Sequence, residues 1–357
     1  MDGSLTIAIC GTGGMAARMV AAMRRVPGLG PGPVISASAA RAEAFAAAHG
    51  LPGTAPDAAA AARAGARAVY VANRASDHAE SARAAIAAGL PVLVEKPFAL
   101  TAAEVEAVLA EAAARGVLAM EAIWVLALPA WRALRAAAAA GALGAPRHLS
   151  VRFALPMDRA GWPGLFDPAE GGVLADRAVY GLAPALDLFG AAEALQALAV
   201  PGPEGGDVSA LLQLRHAGGA TSQAALSVAA GAENDLRLSC AGGSLDLAPW
   251  LPAERLVWHP QAPIPGAAPG PGPEPGQGAA QRLKRALRAQ PALRRLAALR
   301  PPRAQVHGYG ADQYAPMLAH FAETLRAGRT ESDWIPHRLS RDIARLTDRA
   351  RTEANRP

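Results

Sequence analysis

At 357 residues the chain is long enough for two domains, each with its own core, and much of its 52% hydrophobic content is alanine. Its longest apolar stretch, residues 122–131, is far short of the roughly 18 residues of a membrane span, and its two cysteines have no metal-ligand spacing, which argues against membrane-spanning and metal-centred classes. The net charge of +5 comes from one segment: residues 281–303 hold seven arginines and Lys284 with no acid, so the rest of the chain is net acidic, and neither nucleic acid nor a membrane surface is expected as a partner.

The opening MDGSLTIAIC carries an acid and passes straight into an apolar run, unlike a secretory signal, and Cys10 and Cys240 read as buried free thiols. A cytoplasmic protein is expected. Leu5–Cys10 has the look of a strand, and Gly11-Thr12-Gly13-Gly14-Met15-Ala16 follows it and opens a helix over Met15–Arg25. In that setting G-x-G-x-x-A predicts a dinucleotide-binding turn. Gly11 permits the tight bend, Gly13 lets the backbone approach a pyrophosphate, and Ala16 lets the helix lie on the sheet, with the helix N-terminus facing the anion. A plain strand–helix turn is the alternative. The second strand, Val34–Ala37, ends without the acid that would hold the ribose of NAD. Ser36 and Ser38, with Arg41 one turn on, instead tilt the choice between NADP and NAD toward NADP.

Further strands at Ala68–Ala72, Val92–Val94 and Val117–Met120 alternate with helices at Ala39–His49, His78–Ala88, Ala102–Arg115 and Pro129–Ala140. That rhythm predicts a parallel α/β Rossmann domain over residues 1–121. Ala72 and Asn73, Glu95 and Lys96, and His78 at a helix start complete the expected cofactor site, although His78 reads equally well as a helix-start histidine satisfied by backbone. Lys96 stands out because arginine supplies all but two of the 35 basic side chains. It follows a strand directly, in Glu95-Lys96-Pro97, and a lysine can shift its pKa and exchange a proton where an arginine cannot.

From about residue 145 the pattern changes. Arg147–Ala154, Ala194–Val200, Val208–Arg215, Ala220–Val228 and Leu236–Cys240 read as strands joined by short turns, with a helix near Ala175–Phe189. These predict an α+β domain over residues 122–357 built on a large, mostly antiparallel sheet. A Pro/Gly-rich loop and the basic insert interrupt it at about 260–303, and helices over Ala311–Ala327 and His337–Thr352 close the chain. Asp176 and Tyr180, four apart, share one helix face.

Ala68-Val69-Tyr70-Val71-Ala72, His78, Gly89 to Pro97 with its E-K-P, Met120-Glu121-Ala122, Leu165 to Pro168 with Gly171-Gly172, Asp176 with Tyr180, and Leu325 to Ser332 together resemble the Gfo/Idh/MocA oxidoreductases, in their dihydrodiol and xylose dehydrogenase-like branch. The resemblance covers nearly the whole chain apart from about residues 260–305. It implies an NAD(P)-dependent dehydrogenase acting on a secondary alcohol of a sugar, cyclic polyol or related ring, with Lys96, Asp176 and Tyr180 facing the nicotinamide and Tyr180 taking the hydroxyl proton. A Lys96 ammonium nearby would favour the phenolate. Trp124 and Trp162 are the expected substrate contacts, no metal is expected, and the sheet's open face predicts a homo-oligomer, dimer or tetramer. The chain departs from the family pattern at Asn73-Arg74, Leu126 and Ala178, which keeps a non-catalytic, dinucleotide-sensing regulator as the alternative.

Overall fold

The computed structural model describes residues 4–261 and 303–354. Most of the Pro/Gly stretch and of the basic insert therefore lies outside the described residues. The first sheet comprises β1 (Leu5–Cys10), β2 (Leu29–Ile35), β3 (Thr54–Ala55), β4 (Ala68–Val71), β5 (Val92–Val94) and β6 (Ala119–Glu121). They lie in the order β3-β2-β1-β4-β5-β6 with every pairing parallel. Helices α1 (Gly14–Met23), α2 (Ala39–His49), α3 (Ala58–Arg63), α4 (His78–Ala87) and α5 (Ala102–Arg115) connect them. Both faces are buried, which is why these strands read as unbroken apolar runs: Ile7 and Ile9 enter one core, Ala8 and Cys10 the other. Strand order reverses between β1 and β4, so their C-terminal ends diverge into a crevice.

β2 begins at Leu29, five residues before the strand read at Val34. Pro31 and Pro33 hid it. β3 pairs with β2 only at Val34 and Ile35, so on that side the prolines face no partner that needs their missing N–H groups.

Then follow α6 (Pro129–Ala139), β7 (Pro146–Ala154), α7 (Pro163–Phe166), α8 (Gly172–Phe189), β8 (Ala192–Pro201), β9 (Asp207–His216), β10 (Thr221–Ser227), β11 (Asp235–Cys240), β12 (Gly243–Leu247), β13 (Arg255–Pro260), β14 (Arg303–Val306), α9 (Ala315–Arg326) and α10 (His337–Ala354). The eight strands form one sheet in the order β14-β13-β12-β11-β7-β10-β9-β8, antiparallel except where β10 meets β7. The expected α/β plus mostly antiparallel architecture is therefore present, enlarged by β12 to β14.

Helix α8 lies across this sheet. At Gly181 a Cβ would fall 2.5 Å from the Cβ of Ala224 on β10, so glycine lets the helix sit close. Its N-terminus is capped from a distance: the Asp207 carboxylate at the start of β9 accepts the Leu174 N–H at 2.6 Å. Gly171 and Gly172 both have positive φ there, and a Cβ on Gly172 would strike that carboxylate at 2.5 Å. Helix α10 returns to the first sheet. Its His337 Nε2 lies 2.9 Å from the Ala119 carbonyl, and its Asp348 accepts the Ala102 N–H at 2.8 Å. One apolar core runs through Ile7, Leu149 and Leu339, joining the two sheets. We propose residue 121, the last of β6, as the division between the domains, with α10 crossing back over it. Among the described residues no helix is long and apolar enough to cross a membrane.

Candidate active site

A cleft of about 710 Å³ opens at the crevice between β1 and β4, a size typical of cofactor sites. Gly11 shapes its floor: φ is +125°, and a Cβ would fall 2.4 Å from the Ala72 carbonyl oxygen. Gly13 starts α1 with no side-chain cap, and a Cβ at Gly13 or Gly14 would meet nothing within 4 Å. The N-terminus of α1 therefore has uncapped N–H groups and open space beside it, a cradle suited to a pyrophosphate. Met15 and Ala16 serve from behind, packed into the core, where they seat the helix.

At the other end of the cleft stand Ser36, Ala37 and Arg41. Arg41 makes no ion pair among the described residues. Ser38 does not line the cleft; its hydroxyl accepts the Arg41 N–H at 3.3 Å as the N-cap of α2. An acid does stand at this end, contributed by the next loop: Asp57, whose carboxylate also caps α3 through the Ala60 N–H at 2.7 Å. Midway, Asn73 donates from Nδ2 to Ser81 Oγ at 2.8 Å, and its buried Oδ1 has no partner. An orphaned acceptor on a residue that lines a dinucleotide-sized cleft fits a ligand rich in hydroxyl and amide donors.

Glu95 and Lys96 point apart where β5 ends. Glu95 lies buried behind the turn, accepting the Tyr70 hydroxyl at 2.5 Å and the Lys96 N–H at 3.2 Å, and burial pushes its carboxyl up. His78 is buried there too. Its Nδ1 lies 2.7 Å from the Pro97 carbonyl oxygen, and burial holds the imidazole below its ordinary pKa. The structure thus places Glu95 and His78 behind the lysine turn, where they brace it; neither lines the cleft, and nor do Lys96, Asp176 and Tyr180.

Lys96 reaches across to α8. Its Nζ donates to Asp176 Oδ1 at 2.5 Å and to the Asp176 carbonyl at 3.0 Å, and lies 5.3 Å from the centre of the Tyr180 ring. Burial alone would lower the pKa of this ammonium, but Asp176, Tyr180 and Glu95 outweigh it and hold it well above the ordinary lysine value. Its neighbours therefore favour the charged form of Lys96. Tyr180 is 9% exposed, with Trp124 and Phe153 edge-on to its ring at 6.4 and 5.3 Å. Burial pushes the phenol up, more than Lys96 and the Trp124 indole pull it down. Lys96 thus favours the phenolate, as the sequence leads one to expect, but burial outweighs it and leaves the phenol above its ordinary value. Trp162 stands apart, 38% exposed on the loop before α7, with Arg18 of α1 5.6 Å from its ring.

Arg74, a departure from the family pattern, finds a partner in the second domain. It pairs with Glu170 at 2.5 Å, and Ser76 Oγ donates to the same carboxylate at 2.9 Å. Leu126 and Ala178 are fully buried in the common core. Sequence reasoning missed Asp57, whose one local signal is its place as the N-cap of α3, and Glu170 and Asp207, whose contacts are with residues remote in the chain.

Glu121, at the end of β6, is buried, accepts the Phe98 N–H at 3.1 Å and has the Ser340 hydroxyl beside it. Burial pushes its carboxyl from 4.5 up to about 7. Folding then takes up a proton between those values, so stability falls as pH rises through that window and stays lower above it. Glu121→Gln keeps the acceptor for Phe98. It is expected to melt higher than wild type at pH about 8, by the equivalent of roughly 3 kcal/mol, and to show no gain at pH about 4.5. Calorimetry at both pH values checks this; an equal change at each would mean that Glu121 folds already ionised.

Two family models match the chain: an oxidoreductase family with an NAD-binding Rossmann fold over residues 5–123, and the GFO/IDH/MocA C-terminal domain over residues 131–246. Among curated proteins it is similar to trans-1,2-dihydrobenzene-1,2-diol dehydrogenase of Bos taurus, 31% identical over 204 residues, which is 56% of this chain. It is also similar to the Homo sapiens enzyme of that name, 38% identical over 112 residues, 31% of this chain and 33% of that protein. The match spans only 61% of the length of the Bos taurus protein. In fold it resembles a 3-ketoreductase from Actinomadura kijaniata in complex with NADP and TDP-benzene, at TM-score 0.78, 22% identity and 98% coverage of both chains. An aldose–aldose oxidoreductase from Caulobacter crescentus gives TM-score 0.77 at 20% identity, covering 98% of this chain and 97% of that one. The glycine cradle, the lysine turn and both matched models lead to one assignment: the chain belongs to the Gfo/Idh/MocA family of NAD(P)-binding oxidoreductases.

Proposed function

We propose that the protein is an NAD(P)-dependent dehydrogenase acting on a secondary alcohol, or the matching carbonyl, of a sugar, cyclic polyol or related ring compound. The observation that carries this reading is the Lys96–Asp176–Tyr180 group, set where the strands of a dinucleotide-binding sheet end. The names of the relatives, a dehydrogenase of a dihydrobenzenediol and an aldose–aldose oxidoreductase, support the substrate class. When bound, the nicotinamide supplies the hydride acceptor or donor. Gly11 to Gly14 and the start of α1 hold its pyrophosphate, Ser36 and Arg41 the adenosine end, and Asn73 offers its free acceptor. Tyr180 gives its phenolic proton to the carbonyl oxygen in reduction, and its phenolate takes the hydroxyl proton in oxidation. Lys96, held by Asp176, stabilises negative charge on either oxygen, and Trp124 with Phe153 keeps water from the phenol. A panel of sugars and cyclic diols, read by nicotinamide absorbance with both cofactors, tests the reading. No substrate-dependent turnover in either direction would favour the non-catalytic alternative.

We further propose that NADP binds more tightly than NAD by a modest factor, through Ser36 and Arg41, against the opposing charge of Asp57. Ala37→Asp should weaken NADP about tenfold and change NAD little, because a second acid repels the additional phosphate. Fluorescence titration of wild type that shows NAD binding tighter would overturn this.

A homo-oligomer is proposed on the sheet face turned away from α8. Leu198, Leu211, Ala225, Arg152 and Asp235 form one row of paired residues across it. Leu198 and Leu211 are 69% and 52% exposed, and Arg152 pairs with Asp235 at 2.7 Å. A cytoplasmic setting, which would keep Cys10 and Cys240 reduced, is part of the same proposal.

A further inference from the structure

One buried charge beside Tyr180 has no part in the reading above. Arg177, the residue after Asp176, is 3% exposed, and a guanidinium taken out of water is costly unless well paired. Its pairing is incomplete. Nη1 donates to the Ser227 carbonyl at 3.0 Å and Cζ lies 4.4 Å over the Phe153 ring, but Nε has no hydrogen-bond partner. That Nε lies 3.7 Å from Asp176 Oδ2, while Lys96 binds Oδ1 of the same carboxylate. Asp176 therefore stands between two cations. The Phe153 ring beneath the guanidinium is also the ring set edge-on to Tyr180. Two chains of contact thus connect Arg177 to the phenol, one through Asp176 and Lys96, the other through Phe153.

Resting on the reading of Tyr180 as the acid–base group, we propose that Arg177 is a positioning residue: it holds Asp176 from the side opposite Lys96 and adds a second positive charge that favours the phenolate. The groups facing the phenol are Lys96 and Glu95 from the turn after β5, Asp176 and Arg177 on α8, and the Trp124 indole. Lys96, Arg177 and the indole favour ionisation, whereas Asp176 and Glu95 oppose it. Without Arg177 the two carboxylates face a single cation, and the phenol should become harder to ionise.

The test reads Tyr180 directly. Wild type, Arg177→Met, Arg177→Gln and Arg177→Lys are each prepared with and without Tyr180→Phe. Phenolate absorbance is recorded within milliseconds of stopped-flow pH jumps, before the chain unfolds, and the paired difference separates Tyr180 from the other tyrosines. The expected result is an upward shift of the Tyr180 midpoint by about one pH unit in Arg177→Met, with Arg177→Lys recovering most of it. Arg177→Gln retains a donor for Ser227 without the charge, so it should shift as the methionine variant does and decides the matter if that variant does not fold. An unchanged midpoint in the folded neutral variant overturns the inference and leaves Arg177 a packing residue. Failure of the acid–base reading is separately visible, as near-normal turnover by Tyr180→Phe alone.

Discussion

The Tyr180→Phe protein is expected to bind its cofactor with wild-type affinity and to turn over about 10²–10⁴-fold more slowly, the usual consequence of removing a general acid–base group. The substitution takes away one oxygen and leaves the ring between Trp124 and Phe153, so no core volume is emptied. Melting should therefore stay close to wild type. The pH dependence gives a finer check. Because burial holds the phenol above its ordinary value, the reactive form for reduction is the one present at neutral pH. Oxidation needs the phenolate, so its rate should climb with pH and reach no plateau below pH about 10, the ordinary tyrosine value. In Tyr180→Phe that climb should disappear. A variant that keeps both its rate and its pH dependence would move the assignment away from Tyr180, with Asp176 next in line.

Lys96→Arg should also be crippled, by about 10²-fold or more, despite conserving the charge. Lys96 sits 13% exposed with Asp176 Oδ1 at 2.5 Å, in a space made for a single ammonium. A planar guanidinium spreads its donors over a wider fork and cannot hold the carboxylate while staying above the phenol. Lys96→Met should lose at least as much and raise the Tyr180 midpoint, since it deletes the largest influence opposing burial. Cofactor affinity should change little in either. Steady-state rates in both directions, with cofactor titrations beside them, check this. Near-normal turnover by Lys96→Arg would reduce the role of Lys96 to a bare positive charge.

The parts of the molecule written in consecutive residues were legible in the sequence. The glycine turn and the Glu95-Lys96-Pro97 turn each declare themselves within a few positions, because a tight bend beside a helix start needs particular residue types. Elements whose state is set by neighbours were harder to read: β2 passes through two prolines, and β13, with Arg255 and His259, is a strand through its pairing with β12 and β14. Within the site, Lys96 and Asp176 are 80 positions apart and Arg74 and Glu170 are 96 apart, so only the fold reveals that they meet. The direction of the Tyr180 shift was illegible for a different reason. A neighbouring lysine can be guessed from the family pattern, but the burial that outweighs it is a property of the packed whole.

The return of α10 to the first sheet bears on how the protein is made. Synthesis delivers β1 to β6 first, yet Leu339 and Ile343, which close part of that region's core, follow only after every strand of the second sheet. Until then α5 lacks the helix that packs on it, and Glu106 lacks Arg341, its partner at 2.8 Å. The nascent N-terminal half must wait with apolar surface uncovered, which is the condition that chaperones recognise. A ribosome stalled before residue 337 should therefore display a protease-sensitive first half, and release of the finished chain should protect it in a single late step.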